Sequence, residues 1–207
     1  MEKISKETMN PDRILMIQLR RVGDVIFTLP VIGALRKQFP ETSIDFLVEP
    51  PSDQLVRLHP DVSEILVYDH DHPLLWLKKI RDRNYDWVLD FHSNGRTLLL
   101  TLVSGAAIRA GFEGPVSRSL VYTHRVPTTD KKYLPEQKLD ILRALKIPLG
   151  DWSWNLKIPP EESEWAERTL RHSGIKPGDV LVGLAPATRR SIRAWSEKAK
   201  QPAVKTP

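Results

Sequence analysis

The segment Arg13-Ile14-Leu15-Met16-Ile17-Gln18-Leu19-Arg20-Arg21-Val22-Gly23-Asp24-Val25 decides the fold. Its apolar run, residues 13–19, is typical of a buried strand, and the pattern over residues 25–39 predicts a helix. Two arginines, a glycine and a carboxylate therefore lie at a strand-to-helix turn. Open α/β sheets bind ligands at such turns, at the carboxyl ends of their parallel strands.

Strands and helices alternate through the residues that follow this turn. Further strands are predicted at 43–48, 64–68, 87–91 and 108–111, and helices at 53–58, 74–83, 95–104 and 131–145, with a polar loop at 113–118. This alternation favours right-handed crossovers and a parallel, Rossmann-like sheet, so the predicted fold class is α/β.

The last part of the chain is predicted to begin a new unit. A helix over residues 161–172 is followed by the turn Pro177-Gly178-Asp179, a buried strand at 180–185 and a polar tail. We therefore divide the chain into an N-terminal tail (1–12), a Rossmann-like domain (13–175), the start of a second domain (176–195) and a polar tail (196–207). On this division we expect the chain to stop inside its second domain.

The composition is that of a globular protein with a basic surplus, 31 Lys and Arg against 26 Asp and Glu. The surplus suits an anionic partner such as a phosphorylated sugar or an anionic membrane surface. The basic residues are scattered, which disfavours nucleic acid. The absence of cysteine excludes disulfides and fits a reducing cytosol. Without a signal peptide or a run of about 20 apolar residues, we predict a cytoplasmic protein whose membrane contact is at most peripheral.

The turn from Arg20 to Asp24 combines cationic side chains, a glycine that lets a ligand approach the backbone, and the amides of a helix N-terminus. Together they predict an anion site. A single glycine replaces the three of the dinucleotide-binding fingerprint, which disfavours a nicotinamide cofactor. From the residues alone, Asp24 is either an N-cap of the helix or a general base that takes a proton from an attacking hydroxyl.

Further motifs follow the turn along the chain. They are Gly23-Asp24-Val25 with Thr28-Leu29-Pro30, Tyr85-Asp86-Trp87-Val88-Leu89-Asp90-Phe91-His92, Arg96, Gly105-Ala106, Arg109-Ala110-Gly111-Phe112 and Tyr122-Thr123-His124-Arg125-Val126. In their order and spacing they resemble glycosyltransferase family 9, the ADP-heptose:lipopolysaccharide heptosyltransferases, and most of all the heptosyltransferase III subgroup. The resemblance extends from about Arg13 to Trp195.

This resemblance implies the N-terminal half of a GT-B fold, in which two Rossmann-like domains face one another across a cleft, together with the first elements of the second domain. It also implies transfer of heptose, with inversion, from the donor ADP-heptose to the lipopolysaccharide inner core, with no cofactor and no metal. In this family the Asp of the Gly-Asp motif is the proposed base, which corresponds to Asp24. We expect the chain to be poorly active alone, because most of the donor domain is missing.

Candidate binding residues follow from the resemblance and from position at the same sheet edge. On the acceptor side they are Arg20, Arg21, Gly23, His92, Ser93, Asn94 and Arg96, and on the donor side Thr188 and Arg193. The sequence departs from the family near Gln137, where many members carry a histidine.

Two alternatives bear on this assignment. The first is a non-catalytic module that binds an anionic glycan or a membrane surface and retains the fold of the enzymes.

The second is a metal site at the run Asp69-His70-Asp71-His72, whose residue types can ligate metals. We predict a solvated loop there, because metal ligands must converge in space.

Overall fold

A computed structural model describes residues 10–128 and 133–184, and a parallel sheet lies at its centre. The strands are β1 (Arg13–Ile17), β2 (Ser43–Val48), β3 (Glu64–Val67), β4 (Trp87–Asp90), β5 (Ile108–Phe112) and β6 (His124–Val126). They lie in the order β3-β2-β1-β4-β5-β6, and every pair is parallel. The predicted α/β class and Rossmann-like sheet are confirmed.

Helices cover both faces of this sheet. They are α1 (Val22–Gln38), α2 (Asp53–Val56), α3 (Pro73–Asp82), α4 (Gly95–Val103), α5 (Val116–Val121) and α6 (Leu134–Ala144). Helix α1 packs on α6 and on α2, whereas α3 packs on α4 and α4 on α5. None of the helices within the described ranges has the length and apolar character needed to cross a membrane.

Strand β1 shows why the apolar run is continuous. Ile14 and Met16 pack in the core cluster that contains the buried residues of α1 and α6, whereas Leu15 and Ile17 pack in the cluster on the α3 side. Successive side chains of a strand point to opposite faces, and both faces of this sheet are covered. A strand buried on both faces needs apolar residues at successive positions, which is the pattern of residues 14–17.

Three local features differ from the prediction. Helix α1 begins at Val22 rather than at residue 25, so its N-cap is Arg21 and Asp24 lies in its first turn. The predicted polar loop at 113–118 contains the start of α5 (Val116–Val121). Strand β6 (His124–Val126) was not predicted. Both α5 and β6 are too short to produce a clear hydrophobic period.

The chain divides into two units at Pro159 and Pro160. In the second unit, α7 (Pro160–His172) forms as predicted and has no buried residue. The strand predicted at 180–185 is wrong where the structure describes it, because residues 180–184 are irregular and exposed. A strand needs a neighbour for its backbone amides and carbonyls, and in the described residues of this unit there is none. The proposed division into domains stays a prediction.

Gly111 in β5 is explained by the packing of Tyr122. The ring of Tyr122 lies so close to Gly111 that a Cβ atom there would collide with it. The Tyr122 hydroxyl is in turn fixed, 2.7 Å from Oδ2 of the buried Asp90. The glycine therefore keeps a buried tyrosine in place beside the carboxyl end of β4.

We predict that Gly111→Ala lowers the free energy of unfolding by about 1–3 kcal/mol, because the tyrosine ring must move within a close-packed core. Urea denaturation measures this change. Gly95→Ala is the matched control, since a Cβ atom there meets nothing within 4 Å. Equal stability of the two variants would contradict the packing argument.

Candidate functional site

An open pocket of about 220 Å³ lies where β4 and β5 end and α1 and α6 begin. Its lining residues are Asp24, Phe27, Phe91, His92, Ser93, Phe112, Arg118, Thr128, Leu134, Gln137 and Lys138. This is the carboxyl edge of a parallel sheet, where α/β proteins of this kind bind ligands. Three of the sequence-predicted site residues, Asp24, His92 and Ser93, meet in this pocket.

Asp24 lies half-buried in the first turn of α1 and contributes to the pocket wall. The backbone N–H of Arg21 lies 3.5 Å from Asp24 Oδ2, a long hydrogen bond across the start of the helix. Asp24 is therefore a residue of the first turn and not the N-cap that was considered from the sequence. The positive end of the helix dipole stabilises a carboxylate at this point. The weak capping contact leaves the carboxylate available to a ligand in the pocket.

The other predicted residues of the first turn are arranged differently. Arg20, Arg21 and Gly23 are exposed at the start of α1 and are not part of the pocket lining. A Cβ atom at Gly23 would meet nothing within 4 Å, so packing alone does not require this glycine. The acceptor-binding role of these three residues stays a prediction.

The loop after β4 is organised by Asp90, whose side chain is fully buried. Asp90 Oδ1 accepts hydrogen bonds from the backbone N–H groups of His92, at 3.0 Å, and Ser93, at 2.8 Å. Burial raises the pKa of Asp90, while these hydrogen bonds and that of Tyr122 oppose the shift. Ser93 is itself buried, and its hydroxyl donates to the Asp90 carbonyl. Its side chain is therefore engaged in fixing the loop.

Asn94 and Arg96 lie outside the pocket lining. The Asn94 side chain is the N-cap of α4 and accepts from the backbone N–H groups of Arg96 and Thr97, each at 3.0 Å. The Arg96 guanidinium lies 3.4 Å from a carboxylate oxygen of Glu49 and stacks over Tyr68. Through these contacts both residues stabilise the local structure. Ligand contact by either one stays a prediction.

Gln18, which the sequence analysis did not single out, joins three parts of the site. Its Nε2 donates to the Arg20 carbonyl at 2.7 Å and lies 3.2 Å from His92 Nδ1, while its Oε1 accepts from Lys138 Nζ at 3.0 Å. The lysine contact requires the oxygen on that side, so the amide nitrogen donates to His92 Nδ1. The proton of the neutral imidazole is then on Nε2. His92 therefore offers an N–H donor from its other ring nitrogen.

Burial lowers the pKa of His92, and the positive charges of Arg20 and Lys138 lower it further, whereas Asp90 and Glu49 oppose the shift. The folded protein therefore keeps this imidazole neutral at pH 7 and protonates it only below the pH at which an unfolded histidine does so. A neutral imidazole with a fixed tautomer is suited to donating a hydrogen bond to an oxygen atom of a ligand.

Lys138 is a second residue that sequence analysis missed. Its Nζ also donates to the Phe91 carbonyl at 3.2 Å. A signal was present in the sequence, because apolar residues, Ile141 and Leu142, follow Lys138 by three and four positions on the same helix face. Both are buried in the structure. A lysine on the buried face of an amphipathic helix indicates a specific environment for its charge.

The run from Asp69 to His72 has no convergent ligand geometry in the structure. His72 Nδ1 lies 2.6 Å from Asp69 Oδ2, and His70 turns instead toward Glu49, with Nε2 3.1 Å from its carboxylate. Within the described ranges, His, Asp and Glu side chains form no group of three that could hold a metal ion. The predicted donor residues Thr188 and Arg193 lie outside the described residues.

Comparison with known proteins gives consistent similarities. No protein-family model matches the chain. It is 22% identical over 199 residues to lipopolysaccharide heptosyltransferase 3 of Escherichia coli, covering 90% of this chain and 57% of that protein. It is 21% identical over 193 residues to the lipopolysaccharide core heptosyltransferase OpsX of Haemophilus influenzae, covering 89% and 54%. The chain thus spans little more than half the length of these curated relatives.

Solved structures agree. The glycosyl transferase family 9 protein of Veillonella parvula matches with a TM-score of 0.68 at 23% identity, covering 86% of this chain and 55% of that one. The ADP-heptose lipopolysaccharide heptosyltransferase II of Escherichia coli matches with a TM-score of 0.65 at 19% identity and the same coverage. The chain therefore has the Rossmann-like fold found in one half of a GT-B glycosyltransferase. More narrowly, its sequence is similar to those of lipopolysaccharide heptosyltransferases, in agreement with the resemblance seen in its motifs.

We predict that His92 in the folded chain carries its proton on Nε2 and has a pKa below the ordinary histidine value. Long-range ¹H–¹⁵N correlation spectra recorded through a pH titration report both quantities. Gln18→Leu removes the donor to Nδ1, so both tautomers should be populated in that variant. His59 is the internal control. Its Nδ1 accepts from the backbone N–H of Asp61 at 3.3 Å, so its tautomer should be the same in the wild type and in Gln18→Leu. A wild-type His92 protonated on Nδ1 would contradict the network.

Proposed function

We propose that this chain forms the acceptor-binding part of a heptosyltransferase that transfers heptose from ADP-heptose to the lipopolysaccharide inner core with inversion. The observation that carries the proposal is a carboxylate, Asp24, in an open pocket at the carboxyl edge of the sheet. The curated relatives named above support the substrate class. The proposed partners are therefore the core acceptor and the nucleotide-sugar donor, without nucleic acid.

In the proposed reaction Asp24 accepts the proton of an acceptor hydroxyl as that oxygen attacks the anomeric carbon of the heptose. The new glycosidic C–O bond forms as the bond to the ADP phosphate breaks, and a single displacement inverts the configuration. Asp24 lines the pocket from the first turn of α1, where its carboxylate is placed to receive this proton. The diphosphate of ADP spreads the negative charge that it gains on departure over several oxygens, which makes it a competent leaving group, and we propose no metal or cofactor for this step.

Transfer also requires that the ADP-heptose donor is held in position. We propose that Thr188 and Arg193 approach the donor phosphates, as the family resemblance implies. Holding donor and acceptor together in one cleft contributes roughly 7–11 kcal/mol to the lowering of a barrier. We therefore expect the 207-residue chain to bind acceptor more readily than it performs transfer.

We predict that Asp24→Asn reduces transfer from ADP-heptose to deacylated inner core by at least about 100-fold, because the general base is lost. Single-turnover reactions at high protein concentration, followed by mass spectrometry, measure the product. Asp82→Asn, an exposed carboxylate at the end of α3, is the matched control and should match wild type.

Calorimetric titration with the same core separates the two functional hypotheses. Binding of core, with transfer that depends on Asp24, supports the enzyme. Core binding by a chain that does not bind ADP-heptose, even at millimolar concentration, excludes catalysis by this chain alone and favours the non-catalytic glycan-binding module. A chain that binds no core overturns the enzyme and the glycan-binding module, and leaves the membrane-surface module, which vesicle flotation tests.

We further propose that the protein acts in the cytoplasm, on the inner face of the membrane that carries its lipid-linked acceptor. Exposed apolar side chains on α3, α4 and α5 support this placement, among them Leu74, Val116 and Leu120, which are 77%, 77% and 78% exposed. Helices α3 and α5 follow the carboxyl ends of β3 and β5. Their apolar surface therefore begins at the edge of the sheet that holds the pocket.

For this surface we predict that the double variant Leu74→Ser, Leu120→Ser reduces co-flotation with vesicles of phosphatidylethanolamine and phosphatidylglycerol several-fold, because both leucines lose apolar contact with the bilayer. Ile158→Ser is the control, because Ile158 is also exposed but lies elsewhere on the surface. The preceding residue, Lys157, donates its backbone N–H to the Leu58 carbonyl, which places this segment beside α2. Unchanged flotation of the double variant would contradict this membrane surface.

A further inference from the structure

The ammonium group of Lys138 is held in the pocket wall by neutral partners. Its Nζ donates to Gln18 Oε1 at 3.0 Å and to the Phe91 carbonyl at 3.2 Å. The aromatic rings of Phe91 and Phe112 lie 5.8 and 5.5 Å from it. Amide oxygens and ring faces stabilise a cation, but none of them carries a formal charge that would cancel it.

This environment makes the ammonium costly to keep charged. Burial lowers the pKa of Lys138 to about 8, although attraction to Asp24 and Asp90 opposes the shift. Asp90 is already engaged by backbone N–H groups and by the Tyr122 hydroxyl. A partly desolvated cation of this kind gains stability when an anion enters its pocket.

The ammonium group of Lys138 also has an N–H donor for a hydrogen bond to such an anion. An ammonium group has three N–H donors, and the described residues accept hydrogen bonds from it at the two positions given above. Lys138 and Asp24 line the same pocket. The pocket is therefore polarised, with a carboxylate that repels anions and accepts from hydroxyls, and an ammonium that attracts anions.

We propose that Lys138 forms an anion-binding subsite of this pocket, which takes a phosphate or carboxylate group of the sugar acceptor and so directs a neighbouring hydroxyl to Asp24. The inference rests on the proposed function, because that function supplies an anionic glycan as the ligand. The inference gives a role to Lys138 of α6, which belongs to none of the sequence motifs. The two anionic groups share one chemistry and are separated by the experiment below.

The titratable and charged groups that face Lys138 come from several elements. They are Asp24 of α1, Asp90 of β4, His92 of the following loop and Arg118 of α5. The lysine charge is present below its pKa and is lost as the pH rises through about 8. Affinity for the acceptor is therefore expected to fall across that range in the wild-type chain. An arginine at this position keeps its charge, so the fall should disappear in Lys138→Arg.

The test is calorimetric titration of the 207-residue chain with deacylated inner-core oligosaccharide at pH 7 and pH 9. We expect Lys138→Met to weaken binding by roughly tenfold or more at pH 7, the loss of one charge-assisted hydrogen bond. Lys79→Met is the matched control, because Lys79 also lies over an aromatic ring, at 4.5 Å from the centre of Trp76, but on α3 and outside the pocket. Its affinity should equal that of wild type.

Phosphatase treatment of the core identifies the anion. If treatment removes the difference between wild type and Lys138→Met, the ligand is a phosphate; if the difference persists, it is a carboxylate. Either result supports the subsite. Wild-type affinity in Lys138→Met, with the fold verified by circular dichroism, overturns it, and so does a fall in affinity above pH 8 that persists in Lys138→Arg. If Lys138→Met does not fold, Lys138→Arg and the pH comparison decide.

The outcomes also separate this inference from the function on which it rests. A wild-type chain that binds no core at either pH overturns the proposed acceptor function, and the subsite with it. A wild-type chain that binds core as tightly as Lys138→Met overturns the subsite alone.

Discussion

The burial of the Asp90 carboxylate is the constraint on which the site depends. A carboxylate without water is costly unless hydrogen bonds replace its hydration, and here backbone N–H groups and a tyrosine hydroxyl do so. To supply them, the chain turns back after β4, with Ser93 at a φ of 51°, and Tyr122 reaches across β5. That reach requires glycine at position 111. One buried charge thus determines the loop, the tyrosine and the glycine that form one side of the pocket.

Gln18 has a similar role on the other side, but without charge. Its amide provides two donors and one acceptor, which match a carbonyl, an imidazole nitrogen and an ammonium. The three partners belong to the α1 turn, the β4 loop and α6. A carboxylate here would be unable to donate to the Arg20 carbonyl. A hydrocarbon would remove the donor to the Arg20 carbonyl and to His92 Nδ1, and would leave Lys138 with the Phe91 carbonyl alone of its two acceptors. The amide therefore fixes the relative positions of the groups that surround Asp24.

The sequence predicted the parts of this arrangement that depend on local pattern. The run at 13–19 predicted β1, and the strand-to-helix turn predicted that Asp24 would lie at the ligand-binding edge. Gln18 and Lys138 were missed because their roles depend on a contact across 120 positions of the chain. The strand predicted at 180–185 failed for the opposite reason. Its local pattern is clear, but a strand also requires a neighbour, which local pattern does not describe.

The described residues that line the pocket all belong to the unit formed by residues 1–159. Their positions are set by the sheet edge, by Asp90 and by Gln18, all within that unit. In the function proposed above, recognition of an acceptor therefore needs only this unit, whereas transfer also needs a donor held against the acceptor with defined geometry. The proposal thus treats binding and catalysis as separable. A change at Lys138 should act on the first, and a change at Asp24 on the second.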